Sequence, residues 1–308
     1  MFVFLLPYVC ASLWGHVGEE TEKLRSREQA VQAEAANGRR ILVKMDWGVW
    51  EIPLEDYLIC KLCAVMPGDY EKEALKAQAV LLRTEAVQAL REQEGGSLQL
   101  SGEGMEKWYE TDLSSVEYEP WRQAVEETSG LYLCYQGEPV QASYFQISNG
   151  QTRSASEVWD TDTRPYLRGV SCVQDKAAQT YSSTVKVSRT NYVRTLQKRL
   201  GEAFSEQELW EEAETAYDSA GYVTNVSFSA EGKEEQQIDG EEFRHLFDLP
   251  SASFEMEWEN AQVIFHVKGA GHGFGMSQYG ANSMALNGET YDEILAKFFF
   301  GTELAKFE

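Results

Sequence analysis

Across residues 71–93 the apolar positions fall into two helical stripes. Leu75, Ala79, Leu82, Ala86 and Ala89 share one face at a 3.6-residue period, and Glu73, Val80, Thr84 and Val87 share the opposite one. A helix that is apolar on both sides is a central, buried helix. Met66-Pro67-Gly68 breaks the chain ahead of it, and Pro53 opens an earlier helical run, "PLEDYLICKLCAVM". The segments "RILVKM" and "GVWEI" read as short strands. Residues 131–135 and 140–147, joined through Gly137, read as a hairpin that ends at the Ser148-Asn149-Gly150 turn. From Tyr181 the pattern predicts a strand to Val187, a helix over 191–200 and an acidic helical patch over 206–214. Strands follow at 222–229, 253–258 and 262–267, with a short helix near 241–247. Thr290 and Glu293 have the spacing of a capping box for a last helix that ends near Gly301. Strands and helices in this irregular order predict an α+β fold, one large domain with a substrate groove.

Composition narrows the partners. Lys plus Arg is 27 against 50 for Asp plus Glu, a formal net charge of -23 over 308 residues. Nucleic-acid binding needs clustered positive charge to displace counterions, so it is excluded as a function class. The same charge disfavours an anionic membrane surface and leaves a neutral or mixed-charge polymer, or a basic partner. At the N-terminus, "MFVFLLPYVCASLWG" has the length of a signal-peptide apolar core or short anchor, although no Lys or Arg precedes it; a buried apolar segment is the other reading. The expected organisation is a signal peptide or short membrane anchor over 1–15, a polar stalk over 16–38 and the main domain over 39–308. Five scattered cysteines do not make a disulfide framework. Cys60 and Cys63 form a lone CxxC that reads as two buried small hydrophobes before it reads as a redox or zinc centre.

The densest chemistry lies near the C-terminus, in "GAGHGFGMSQYGANSMALNGETYDEILAKFFFGTEL". His272 is bracketed by Gly269, Gly271, Gly273 and Gly275, which permit turns closed to other residues. Ser277 and Gln278 bring polar groups beside that turn. An isolated His with a nearby Ser is more often structural than catalytic. Glu73, in the first turn of its helix, is likewise well placed simply as a charge favoured by the helix dipole.

Taken together, "EALKAQAVLLRT", "SNGQTRSASEVW" and "GHGFGMSQYGA", in this order, resemble the SpoIID/LytB family over about residues 41–304. The family includes the stage II sporulation protein D, a peptidoglycan lytic transglycosylase, and LytB-type amidase enhancers. The resemblance implies extracytoplasmic cell-wall chemistry, secreted or membrane-anchored, in a spore-forming Gram-positive bacterium. In catalytic members a Glu protonates the glycosidic oxygen, and the sugar's own hydroxyl closes a 1,6-anhydro ring. The implied partners are peptidoglycan glycan strands and another cell-wall hydrolase.

This sequence departs from the pattern at one position. The family reads Glu-Met-Pro before "EALKAQA", whereas Val65-Met66-Pro67 stands here, and a valine donates no proton. Zinc-binding relatives place Cys and His after the "RT" helix; residues 86–118 contain neither, so no metal or other cofactor is expected. Two readings follow. Either another carboxylate supplies the acid, Glu73 first and Glu157 next, or the protein keeps the groove without the chemistry and binds peptidoglycan or assists a hydrolase. The expected groove joins the start of the Glu73 helix, the loop over 149–159 and the His272 turn. Its substrate-binding residues are expected to be Arg83, Ser148, Asn149, Thr152, Glu157, His272, Ser277, Gln278 and Tyr279. Tyr144, Trp159 and Tyr279 are natural sugar platforms and equally natural core aromatics.

Overall fold

The computed structural model describes residues 40–46, 48–92, 99–101, 112–159, 163–201, 204–211 and 213–307. The expected leader and stalk, and most of the loop expected at 94–104, lie outside these residues. Among the described residues no helix is long and apolar enough to cross a membrane.

The fold is α+β. Strands β1 (Arg40–Met45) and β2 (Gly48–Pro53) pair antiparallel, Arg40 opposite Pro53, and β3 (Gln99–Ser101) joins β1 in parallel. Pro53 ends β2 and leads into α1 (Leu54–Val65), whose first turn carries Glu55 and Asp56, where the helix dipole favours acids. The long α2 (Lys72–Glu92) is central, as its two apolar stripes require: Leu75, Ala79, Leu82 and Ala86 are buried, and so are Val80, Thr84 and Val87 on the other side. It packs against α1, α3 (Glu119–Glu127), α8 (Gln278–Leu286) and α9 (Tyr291–Phe298). Thr290 and Glu293 cap α9 as their spacing predicts, the Thr290 N–H donating to Glu293 Oε2 at 2.9 Å.

The expected hairpin forms only in part. Strand β4 (Leu131–Tyr135) turns through Gln136 and Gly137, both at positive φ, into β5 (Glu138–Pro139). The Val140 N–H still donates to the Leu133 carbonyl at 3.2 Å, and residues 141–147 then leave β4, which pairs on its other edge with β14 (Glu303–Lys306). Their partners are distant in sequence. Strand β6 (Tyr144–Phe145) pairs in parallel with β13 (Met276–Ser277), and Ile147 bridges Ala270. This long-range pairing lays the segment before Ser148 against the His272 turn. Beyond it comes the short helix α4 (Ala155–Val158).

A second hydrophobic cluster gathers within residues 182–268, a lobe that leaves the main body at Tyr181 and returns at Gly269, whose N–H donates to the Tyr181 carbonyl at 2.7 Å. Strands β7 (Ser182–Ser188), β11 (Phe254–Glu259) and β12 (Gln262–Lys268) make one sheet, with β12 central. Strands β8 (Glu214–Tyr217), β9 (Val223–Phe228) and β10 (Gln236–Asp239) make the other. Helices α5 (Arg189–Leu200), α6 (Glu206–Glu211) and α7 (Gly240–Leu246) complete the lobe. The acidic patch expected to be helical to 214 stops at Glu211, because β9 recruits Glu214–Tyr217 into its sheet.

Candidate functional site

The Ser148 loop and the His272 turn are built as one unit. Ile147 and Ala270 exchange backbone hydrogen bonds at 3.0 and 2.7 Å, and the Arg153 N–H donates to the Gly273 carbonyl at 2.8 Å. A buried carboxylate beneath them, Asp175, accepts from the Ser148 N–H and from the Ser277 hydroxyl, both at 2.7 Å on Oδ2. Ser277 in turn caps α8, accepting from the Gly280 N–H at 3.2 Å. Asp175 was not anticipated from the sequence. "CVQDKAAQ" carries no periodicity, and the residue matters only because distant segments converge on it.

Burial pushes the Asp175 carboxyl above its ordinary range, against the hydrogen bonds from Ser148 and Ser277 that pull it down. Its Oδ1 has no hydrogen-bond partner. The folded state therefore holds a proton here at a pH where the unfolded chain has released it. The stability the group contributes is full below the ordinary Asp value and is lost as pH rises through the folded one. Asp175→Ala is accordingly expected to cost about 1–3 kcal/mol at acid pH, by stranding the Ser148 and Ser277 donors. The cost should shrink toward neutral pH, where the substitution also removes a desolvated charge. Urea midpoints across pH test this; a cost that grows with pH contradicts it.

His272 is half-buried, and its Nδ1 accepts from the Phe274 N–H at 3.1 Å. Burial lowers its pKa, opposed by Glu241 and by a hydrogen bond to the Tyr144 backbone. Burial thus favours the neutral imidazole, which is tied to backbone at Phe274 and at Tyr144 of β6. It lines a cavity of about 410 Å³ together with Glu85, Gln88, Gln141, Ser143 and Tyr144.

The other residues expected at the site occupy varied places. Glu73 lies twelve positions before Glu85, ~18 Å along α2. One of its oxygens caps α9 through the Tyr291 N–H at 2.9 Å, and the other meets Lys76 Nζ at 2.8 Å. Arg83 is fully buried. Its guanidinium clasps Glu55, at 3.1 and 2.6 Å, and donates to the carbonyls of Thr128, Leu131 and Val125. Thr152 is buried and receives the Val170 N–H at 2.8 Å. Gln278, also buried, donates to the Val65 carbonyl at 3.0 Å and to Gln78 at 3.1 Å, linking the motif to the end of α1. These four are engaged with other protein groups, and none of them lines the cavity beside His272. Glu157 holds the turn at Ser219, accepting from its N–H at 3.0 Å and its hydroxyl at 2.8 Å. Tyr279 is half-buried, its N–H on the Gln146 carbonyl at 3.0 Å. Trp159 stacks on Phe274 with centroids 4.3 Å apart, and the Arg164 guanidinium lies 4.6 Å from its ring. Asn149 opens onto a separate cavity of about 820 Å³ shared with Lys176, Tyr217, His266 and Lys268 of the loop and lobe.

The SpoIID family profile, described as a stage II sporulation protein, matches residues 47–135, from before α1 to the end of β4. A stage II sporulation protein D of Bacillus amyloliquefaciens is 32% identical over 272 residues, spanning 84% of this chain and 76% of that protein. The chain belongs to the SpoIID/LytB family. The stage II sporulation protein D of Bacillus subtilis (strain 168) is 29% identical over 333 aligned residues, spanning 99% of this chain and 92% of that protein. The amidase enhancer of the same organism is 24% identical over 286 residues, 79% of this chain and 39% of that protein.

In this SpoIID/LytB chain the region around Val65 is half-buried and packed on the main core. Cys60 is buried and Cys63 half-buried, both free; burial pushes the Cys60 thiol up to about 12, so it is a poor nucleophile at neutral pH. The residue that sequence reasoning missed is Glu85. Throughout residues 77–87 every side chain is buried except that of Glu85, which is exposed at the cavity. The signal was available, since a lone acid stands in the middle of a helix apolar on both sides.

Proposed function

We propose that this protein acts on the peptidoglycan of a spore-forming Gram-positive bacterium, outside the cytoplasm, engaging glycan strands beside the His272 turn. The observation that carries this reading is the small cavity beside the His272 turn, lined also by Glu85 and Gln88 just past the "EALKAQAVLLRT" segment and by Gln141, Ser143 and Tyr144. Amide, hydroxyl and aromatic groups of this kind match the hydroxyls and apolar faces of amino sugars. The activity is of the lytic-transglycosylase type: protonation of the glycosidic oxygen and closure of a 1,6-anhydro ring. A second reading, favoured by Val65 standing where the resemblance expects the acid, is a non-catalytic peptidoglycan binder or amidase enhancer that supports another cell-wall hydrolase. Domain limits follow the same reading, with residues 1–15 as leader or anchor, 16–38 as stalk and 39–308 as the acting domain.

Both readings require contact with the glycan, and with a net charge of -23 that contact cannot rest on a cationic surface. The protein is expected to pellet with purified sacculi and to remain bound as salt is raised. Failure to pellet at any salt contradicts both readings. A loss as steep as that of a polyelectrolyte complex contradicts recognition by stacking and hydrogen bonds.

A further inference from the structure

We propose that Glu85 is the proton donor of this protein, replacing the acid that Val65 does not supply; this rests on the glycan-cleaving reading above. Helix α2 is buried on all sides over residues 77–87 and opens to solvent only at Glu85. That opening is a cavity of about 410 Å³, whose far wall is the His272 turn and the segment Gln141–Tyr144. No described residue donates a hydrogen bond to the Glu85 carboxyl or forms an ion pair with it. In this it differs from Glu73 and Glu157, whose oxygens are engaged by backbone or side-chain donors. It is open to a ligand from the cavity and hemmed in by protein elsewhere.

The neighbours suit an acid. Tyr57 and Lys61 approach from α1, Tyr144 from β6 and His272 from the turn. Desolvation raises the Glu85 pKa and Lys61 opposes it, the first effect prevailing. The Tyr144 phenol is pushed up to about 12, by burial first and then by the Glu85 charge, so it stays protonated and able to donate. His272 is held to backbone through Nδ1, which accepts from the Phe274 N–H, and burial disfavours its charged form.

One carboxyl completes the reaction. Protonated Glu85 gives its proton to the glycosidic oxygen as the bond from the anomeric carbon to that oxygen breaks. The 6-hydroxyl of the same sugar then adds to the anomeric carbon, and its proton passes to the Glu85 carboxylate. The acid is regenerated, one C–O bond is exchanged for another, and no water is consumed.

The test measures release of anhydro-muropeptides from purified sacculi by wild type and Glu85→Gln, with pelleting and urea unfolding in parallel. Wild type should cleave, with a rate that falls as pH rises and Glu85 loses its proton. Glu85→Gln should keep its fold and its binding and lose about 10²–10⁴-fold in rate. Glu85→Asp, which keeps the acid but retracts it, should retain part of the activity and its fall with rising pH. A Glu85→Gln rate within a few-fold of wild type overturns the role of Glu85 and leaves the glycan reading intact. Wild type that pellets but releases no anhydro product at any pH overturns it too, in favour of the non-catalytic reading. Wild type that neither pellets nor cleaves overturns the peptidoglycan reading itself.

Discussion

Asp218→Ala is expected to lower the unfolding free energy by about 3–5 kcal/mol, because it leaves Arg153 charged and buried without its main partner. The two side chains are only 1% and 2% exposed and meet at 2.7 Å. Arg153 belongs to the Ser148 loop, Asp218 to the lobe, and the guanidinium also lies 4.7 Å from the ring of Phe274 in the His272 turn. One ion pair thus holds three segments together. Glu241, at 3.4 Å, is a second partner but a more exposed one, and it does not replace the first. Asp218 also closes its own turn, its Oδ1 accepting from the N–H groups of Ala220 at 3.1 Å and Tyr222 at 2.9 Å. Asp218→Asn keeps an acceptor for that turn but loses the charge and the oxygen that faces Arg153, so it isolates the ion pair from the turn. Urea unfolding of both variants decides the matter. A loss below about 1 kcal/mol for Asp218→Ala means that the lobe is held by its apolar contacts and not by this pair.

How far the molecule could be read from its sequence depended on whether a feature was local. The burial of α2 on both faces followed from its residue period, and the α9 cap from the Thr290–Glu293 spacing, because both devices act within a few residues. Residues 140–147 were misread as one strand of a hairpin. Their partners, Met276–Ser277 and Ala270, lie far along the chain, and no local pattern encodes pairing over that separation. The same limit explains the site. Arg83, Thr152 and Gln278 have the chemistry of ligand-binding residues, yet their donors and acceptors meet protein groups that only the fold brings to them. Asp175 was invisible for the same reason. Glu85 was legible in principle. A carboxylate amid buried neighbours demands either a partner or an opening, and only the tertiary structure supplied the answer.

Gly275→Ala is expected to destabilise the protein by about 2–5 kcal/mol and to spoil the cavity beside Glu85. Gly275 has φ +74, a left-handed backbone that costs a residue bearing a Cβ about 1–2 kcal/mol. The added methyl would also run into the Ser143 carbonyl oxygen, with Ser143 C at 2.7 Å and its Cβ at 3.0 Å. That carbonyl cannot move away freely, because it accepts the Met276 N–H at 3.0 Å where β13 meets β6. Relieving the overlap adds about 1–3 kcal/mol of the kind seen in overpacked cores. It must also shift Ser143 and Tyr144, which form the wall opposite Glu85. Gly288 supplies the control. Its φ is +91, but a methyl there meets nothing within 4 Å, so Gly288→Ala should carry the backbone strain alone and leave sacculus binding unchanged. Equal losses of stability for the two variants in urea unfolding mean that the Ser143 contact yields without cost. A larger loss for Gly275→Ala, accompanied by weaker pelleting with sacculi, means that this glycine holds the β6–β13 pairing, and with it the cavity, in shape.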